Sequence, residues 1–332
     1  MESLTRNATV INIHSIGYEG VEHRNHVEYH FMKLNQLETT LPISFHRYIR
    51  KLSPDVVIVR GLGFPLQILF LRWQLGEHVK IMAQHHADKP SRGYKKLLQR
   101  IADKFIGAYF FSSMDLAKPW LNAELIHNKE KIKETLVLSS TFFRADKISA
   151  RNITGVQGKR VYLWVGGLDA NKDPITLVNA FKKFSGDHVD AHLYMIYQEE
   201  DLLDTVKELV AHCSHIHLMG ALAHNALQSW YNAADFIIST SHYEGMGVAV
   251  CEGLSCGCIP ILSDIPSFRM MTNQGEFGFL FPPGNADALL HSLQDSWSMD
   301  LIYGQKKVLH HHEACLSSEA SAFKIMETVR SL

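Results

Sequence analysis

Residues 234–264, ADFIISTSHYEGMGVAVCEGLSCGCIPILSD, restrict the fold of this 332-residue chain more than any other stretch. The apolar run Phe236-Ile237-Ile238 ends in a polar tip at Ser239, Thr240, Ser241 and His242. Glu244 and the small turn Gly245-Met246-Gly247 follow, then an apolar segment from Val248 to Cys256 that carries Glu252. Gly257 stops that segment, and Cys258 to Leu262 starts another buried run. The pattern predicts strand, acidic turn, helix, glycine cap, strand. A helix N-terminus opening at the carboxyl end of a strand is where anionic ligands bind in open α/β sheets.

Length favours two domains. The composition, 46% hydrophobic and 20% charged, is that of a globular protein. No apolar run reaches the ~18–20 residues that span a bilayer, and MESLTRNATV lacks the pattern of a secretory signal. Five cysteines, an odd number on segments that read as buried, fit a reduced, cytoplasmic protein better than a disulfide framework. The net charge of −1 conceals a split. Residues 1–150 hold 21 Lys and Arg against 14 Asp and Glu, and the remainder 12 against 20, so the first half would face an anionic partner.

Strands are expected at Val10–His14, Val56–Val59, Lys80–Ala83, Ala108–Ser112 and Leu136–Leu138. Between them lie a polar, His-rich stretch to about Tyr29 and helical patterns at Leu41–Leu52, Phe64–Leu75, Gly93–Phe105, Asp115–Leu121 and Asn128–Lys133. This alternation argues for a parallel sheet covered on both faces. The polar interval Ser139–Lys159 reads as a linker, and a second alternating series runs from Arg160 to about Trp297. A last helical pattern covers Gln305–Val329. The expected division is 1–145, 146–304, and a C-terminal helix 305–332 that crosses back to the first domain.

The turn Val165-Gly166-Gly167-Leu168-Asp169-Ala170-Asn171-Lys172-Asp173-Pro174 joins the first strand of the second series to its helix. Glycine lets the backbone approach a ligand, Lys172 offers a point charge for a phosphate, and Pro174 suits the first helical position. By itself such a turn also serves as a plain strand-to-helix connection. Glu244 precedes its helix and Glu252 lies about one turn inside it, so both can face one ligand. The orphan N–H groups around Gly247, Val248 and Ala249 can hold a diphosphate. Glu252 would accept hydrogen bonds from ribose hydroxyls, and Glu244 from a second sugar.

The segments GGLDANKDPITLVNAF and YNAADFIISTSHYEGMGVAVCEGLSCGCIPILSD resemble the group-1, GT4-type retaining glycosyltransferases of the GT-B fold. The E-x7-E signature stands at Glu244 to Glu252, flanked by Met219-Gly220 and by Gly278-Phe279-Leu280-Phe281-Pro282-Pro283-Gly284. The resemblance is strong over about Val161–Leu293 and weak before Leu136. It implies two Rossmann-like domains facing across a cleft, the first acceptor-binding and the second nucleotide-sugar-binding. It implies further that Lys172 holds the donor diphosphate and Glu252 the ribose. Glu244, Gly245, Met246, Gly247 and Val248 would hold the transferred sugar and phosphates beside Gly166 and Gly167. His85 or His86, in MAQHHADKP, matches the histidine lent by the first domain; the bland reading is a surface pair in a chain with 20 histidines.

Two departures stand out. Gly167 occupies the place of an arginine in the family pattern, and glycine cannot replace a guanidinium clamp. Arg60 and Arg160 are the alternative cations. The first domain is shorter by about one β–α unit, with Gly17-Tyr18-Glu19-Gly20 as the one stand-in for an acceptor loop. No Asp-x-Asp occurs, so neither a cofactor nor a metal is expected, and leaving-group stabilisation would fall to Lys172 and the helix start. His212-Cys213-His215-His217 and His310-His311-His312 lack the spacing of a closed zinc site.

The helix at Gly93–Phe105 aligns Tyr94, Leu97, Leu98, Ile101 and Phe105 on one face, flanked by Lys89, Arg92, Lys95, Lys96, Arg100 and Lys104. Such a helix can lie peripherally on an anionic membrane, at its inner face for a cytoplasmic protein, or cover its own sheet. Nucleic acid is not an expected partner, since no recognised module appears. The expected function is metal-independent transfer of a sugar from a nucleotide-diphosphate sugar to a glycan or lipid-linked acceptor. The alternatives are a GT-B epimerase or phosphorylase, or a non-catalytic nucleotide-sugar-binding partner subunit.

Overall fold

The computed structural model describes residues 2–6, 8–15, 17–34, 42–86, 88–136 and 139–332. Residues 1–137 with 318–332 make one compact unit and 138–317 another.

The first unit opens with β1 (Val10–Ser15), β2 (Gly20–Arg24) and β3 (Val27–Met32), a sheet of order β1-β3-β2. β3 runs parallel to β1 and antiparallel to β2. Sequence reading takes most of this region for a polar connection. The reason is that β2 is largely exposed and carries Glu22, His23 and Arg24 in place of an apolar stripe. Asn25 and His26, at φ 50° and 65°, form the two-residue turn with both φ positive that matches the strand twist.

There follow α1 (Ile43–Lys51), β4 (Val56–Arg60), α2 (Pro65–Leu75), β5 (Lys80–Gln84), α3 (Tyr94–Asp103), β6 (Ala108–Phe111), α4 (Met114–Asn122) and β7 (Ile132–Glu134). The strands form a second, wholly parallel sheet of order β4-β5-β6-β7. Tyr109, Phe111 and Trp120 fill its core. The first unit therefore holds two sheets, not one. The helix expected at 128–133 is a single 3-10 turn, Lys129–Lys131, and the strand comes earlier than 136–138. Leu41 and residues 137–138 lie outside the described residues.

The second unit begins with α5 (Lys147–Thr154), inside the interval expected to be a linker. Buried Asp235 explains why it is not one. Its carboxylate pairs with Lys147 and, at 3.0 Å, with Arg151, and accepts the Val161 N–H at 2.8 Å. Then come β8 (Arg160–Gly166), α6 (Pro174–Asp187), β9 (Ala191–Tyr197), α7 (Leu203–Val210), β10 (Ile216–Gly220) and α8 (Leu227–Ala233). The series closes with β11 (Phe236–Ser239), α9 (Val248–Ser255), β12 (Ile259–Ser263), α10 (Pro266–Met271), β13 (Phe279–Phe281), α11 (Ala286–Ser298) and α12 (Leu301–His311).

All six strands are parallel, in the order β10-β9-β8-β11-β12-β13. The order reverses between β8 and β11, so the loops leaving those two neighbours diverge to opposite sides and leave a crevice at their carboxyl ends. Below it, Tyr162 and Phe236 stack at 4.9 Å on adjacent strands, with Phe181 and Phe184 edge-on against Tyr162.

The last expected helix is two. A π-helical turn, His312–Leu316, follows α12, and α13 (Ser318–Ser331) belongs to the first unit. There Ala322 is buried with Leu4, Val10 and Val27, and Lys80 Nζ donates to the Val329 carbonyl at 2.9 Å. The boundaries thus fall at 137/138 and 317/318, against the expected 145/146 and 304/305. Cys251, Cys256 and Cys258 are buried free thiols, whereas Cys315 is exposed, unlike its expected setting.

Candidate functional site

The crevice between β8 and β11 is lined by Val165, Lys172, Ile237, Ile238, Ser239, Glu244, Gly247 through Val250, and Phe268. Three loops bring these residues together. After β8, Asp169 Oδ1 accepts the N–H groups of Asn171 (2.7 Å) and Lys172 (3.0 Å), a turn that lifts Lys172 over the strand end. Gly166 lies under the lysine stem, its absent Cβ 3.7 Å from Lys172 Cδ. Asp173, in the left-handed region at φ 46°, caps α6 through the Thr176 N–H (3.2 Å) and Thr176 hydroxyl (2.7 Å).

The loop after β11 is clamped to that turn. The Asn171 carbonyl accepts the His242 N–H at 2.8 Å, and its side-chain amide exchanges bonds of 3.0 and 3.1 Å with the Tyr243 backbone. Thr240 donates to the Lys172 carbonyl at 2.6 Å. Asn171 and Thr240 carry no charge that would single them out in the sequence, yet they fix the distance between the two loops.

Glu244 ends this path. Its Oε1 accepts from Lys172 Nζ at 2.5 Å and from the Ser241 hydroxyl at 2.8 Å. The Lys172 and Glu244 side chains are 29% and 15% exposed, so the pair is sheltered but reachable. Met246 is buried and Gly245 half-buried in the turn that follows. Gly247, at φ 77°, precedes α9 without a side-chain cap, and a Cβ there would lie 2.6 Å from Phe268 Cε1. The first helical bond runs from Cys251 N to the Gly247 carbonyl, which leaves the N–H groups of Val248, Ala249 and Val250 as the unsatisfied helix start.

Glu252 sits differently. It is buried at 6% exposure, its Oε2 accepting the Tyr231 hydroxyl (3.0 Å) and its Oε1 bonded to His224 Nε2 (2.7 Å). His224 stacks on Phe142 at 4.9 Å. Burial, and next the adjacent carboxylate, hold the Tyr231 hydroxyl well above the ordinary phenol range, so it stays a donor. Among the described residues the two glutamates share no hydrogen-bond partner, and Glu244 alone of the pair lines the crevice. Tyr231 and His224 are the residues that sequence reasoning misses. Tyr231 stands in a quoted motif but shows no spacing that ties it to α9.

Gly167 is buried, and a Cβ there would meet Glu199 Oε2 at 2.7 Å and Asp169 Oδ2 at 2.9 Å. The place of a family arginine is thus flanked by two carboxylates. Arg160 does not substitute for it. It starts β8, a seven-residue strand away from the Lys172 turn, and donates to the carbonyls of Trp297 (3.1 Å) and Met299 (2.9 Å). Arg60 ends β4 in the first unit.

In the first unit His85 is buried. Its Nε2 lies 3.0 Å from the Asp88 carbonyl, which requires the proton on Nε2, and its ring stacks on Phe111 at 4.8 Å. Burial lowers its pKa, so the ring is neutral near pH 7. His86 is exposed, and its N–H donates to Asp88 Oδ2 at 3.2 Å. Asp88 also accepts the Leu62 N–H at 2.9 Å, joining the loops after β4 and β5. Tyr18, from the stand-in acceptor loop, donates to Glu22 at 3.0 Å in the β1–β2 turn. Of the histidine runs, His217 Nε2 bonds His192 Nδ1 at 2.9 Å, and His311 stacks on Phe277.

A doubly wound parallel sheet with an uncapped helix start at its switch point, in a chain that also holds a second α/β unit, is the architecture of the GT-B glycosyltransferase fold. Solved structures carry the same fold along nearly the whole chain. Sucrose-phosphate synthase from Thermosynechococcus elongatus superposes with a TM-score of 0.76 at 18% identity, covering 99% of this chain and 90% of that one. Anabaena HepE in complex with UDP gives 0.75 at 13%, covering 93% and 87%. Residues 146–300, most of the second unit, match the family model described as glycosyl transferases group 1. Among curated relatives, GDP-mannose:cellobiosyl-diphosphopolyprenol alpha-mannosyltransferase of Xanthomonas oryzae is 34% identical over 68 residues, 20% of this chain and 18% of its own length. O-antigen chain mannosyltransferase B of Escherichia coli is 32% identical over 104 residues, 30% and 27%. The matching stretches therefore span less than a third of these relatives' own length.

Proposed function

We propose that the chain is a retaining glycosyltransferase that draws its sugar from a nucleotide-diphosphate donor held at the β8/β11 crevice. The observation that carries this reading is the convergence of Lys172, Glu244 and the uncapped start of α9 on one concave surface. Lys172 exchanges Glu244 for the donor diphosphate, whose oxygens also take the α9 N–H groups. Glu244, released, accepts a hydroxyl of the transferred sugar. Glu252, held by Tyr231 and His224, receives the ribose. The bond from the anomeric carbon to the diphosphate breaks while an acceptor oxygen bonds that carbon on the same face, and the acceptor proton passes to the departing diphosphate. Lys172 and the helix start stabilise the charge that develops there, so chelator should leave turnover intact.

The mannosyltransferase relatives, one named for GDP-mannose and a diphosphopolyprenol-linked acceptor, make GDP-mannose the first donor to test and a polyprenol-linked glycan the first acceptor class. HepE, solved with UDP, keeps UDP-sugars on the panel. Calorimetric titration of folded protein with GDP-mannose and UDP-glucose should show binding that Lys172→Ala weakens at least tenfold. Absence of binding to any nucleotide sugar overturns the proposal. A second reading, a non-catalytic donor-binding subunit, rests on the two carboxylates beside Gly167. Turnover by the wild-type chain with retained anomeric configuration eliminates it.

A further inference from the structure

We propose that α3 is a docking face for an anionic lipid bilayer. The helix does not use its apolar row to cover the sheet. Gln99, Ala102 and Asp103 are the buried positions, whereas Tyr94 is 75% exposed, Leu97 64% and Ile101 38%. These three lie at i, i+3 and i+7, a line about 10 Å long on one side of the helix. Leu98 adjoins it half-buried, and Phe105 alone of the expected stripe packs into the core cluster. The helix packed against it, α2, carries Trp73 at 71% exposure.

Residues 89–104 contain six basic side chains and one acidic one. That acid, Asp103, is turned inward, where it bonds Tyr109 at 2.9 Å and His127 at 2.9 Å. Arg100 pairs with Glu124. Lys89, Arg92, Lys95, Lys96 and Lys104 form no ion pair among the described residues, so the segment that carries the apolar row also carries five cations without internal compensation.

This combination selects the occupant. A soluble phosphate or a nucleic acid satisfies the cations but leaves Leu97 and Ile101 in water. An apolar protein groove takes the row but leaves the cations uncompensated. A bilayer surface with anionic headgroups supplies both, acyl boundary for the row and phosphate for the rim. Each juxtamembrane cation contributes enough that three together change the partition coefficient on the order of 100-fold. The inference does not depend on the donor site, and its test contains no nucleotide sugar.

Full-length protein is floated with phosphatidylcholine vesicles prepared with and without phosphatidylglycerol. Binding to the anionic vesicles is expected, weakening as salt rises and absent with phosphatidylcholine alone. Arg92→Gln/Lys95→Gln/Lys96→Gln should reduce it on the order of 100-fold. Tyr94→Ser/Leu97→Ser should reduce it at unchanged charge, and both variants should melt with the wild type because none of the altered side chains is buried. Inorganic phosphate at matched ionic strength should not compete. Equal binding to both vesicle types, no binding, indifference to either variant, or a concentration-dependent dimer abolished by Tyr94→Ser/Leu97→Ser would each overturn the proposal.

Discussion

Glu244 and Glu252 are eight residues apart and both carboxylates, but they are held in opposite ways. Glu244 sits in a loop, against a lysine that is itself partly exposed, with one hydroxyl donor in support. Glu252 sits inside a helix, buried, with a neutral phenol and an imidazole on its two oxygens. The first arrangement is an ion pair between groups that can each take a new partner without leaving a buried charge behind. The second is a preorganised acceptor whose partners are fixed by packing. One suits a group that must reassign when substrate arrives, the other a group that must already point correctly.

The largest effect that this contrast predicts belongs to Lys172. Lys172→Ala should lower kcat/KM by about 10²–10³-fold, the loss typical of removing one donor to a developing anion. Its melting temperature should stay close to wild type, since a partly exposed ion pair contributes on the order of 1 kcal/mol or less. Steady-state kinetics beside a thermal melt decides it: a large loss of stability with unchanged kcat/KM would make Lys172 structural.

Next comes the pair of glutamates themselves. Glu252→Ala leaves the buried Tyr231 hydroxyl without its acceptor and should cost about 2–3 kcal/mol in denaturant unfolding. Glu244→Ala should cost under about 1 kcal/mol while lowering turnover. Equal destabilisation by both would erase the distinction between the two carboxylates. Gly247→Ala probes the turn between them. It places a Cβ at a left-handed φ and against Phe268, and should cost about 1–3 kcal/mol. Adding Phe268→Leu should recover the steric part and not the backbone part.

How far these features are legible in the sequence varies with the kind of contact. The six-strand series of the second unit shows plainly because its four central strands, β9, β8, β11 and β12, are mostly buried apolar runs. The β2–β3 hairpin does not, because exposed β2 needs no apolar stripe; its trace is Asn25 at a turn that requires positive φ. Lys172, Glu244 and the α9 start are readable because local spacing places them. Arg160 is excludable on the same ground, since the first and last residues of a seven-residue strand lie about 20 Å apart. Asn171, His224 and Tyr231 are not readable, because each acts on a residue far away in sequence through tertiary packing.

Tyr231→Phe is the smallest and sharpest case. The substitution keeps the ring in the core and removes the hydroxyl that donates to Glu252 Oε2. A buried carboxylate then loses one of two partners but retains His224 on the other oxygen. The stability cost should be about 1.5–2 kcal/mol, the low end of the range for a hydrogen bond to a charged group. If Glu252 receives the ribose as proposed, donor affinity should fall several-fold with kcat nearly unchanged, because Glu252 loses its fixed orientation while the groups around Lys172 are untouched. A fall in kcat at constant affinity would instead place Tyr231 and Glu252 with the reacting end of the donor, and the division between a movable and a preorganised carboxylate would have to be redrawn.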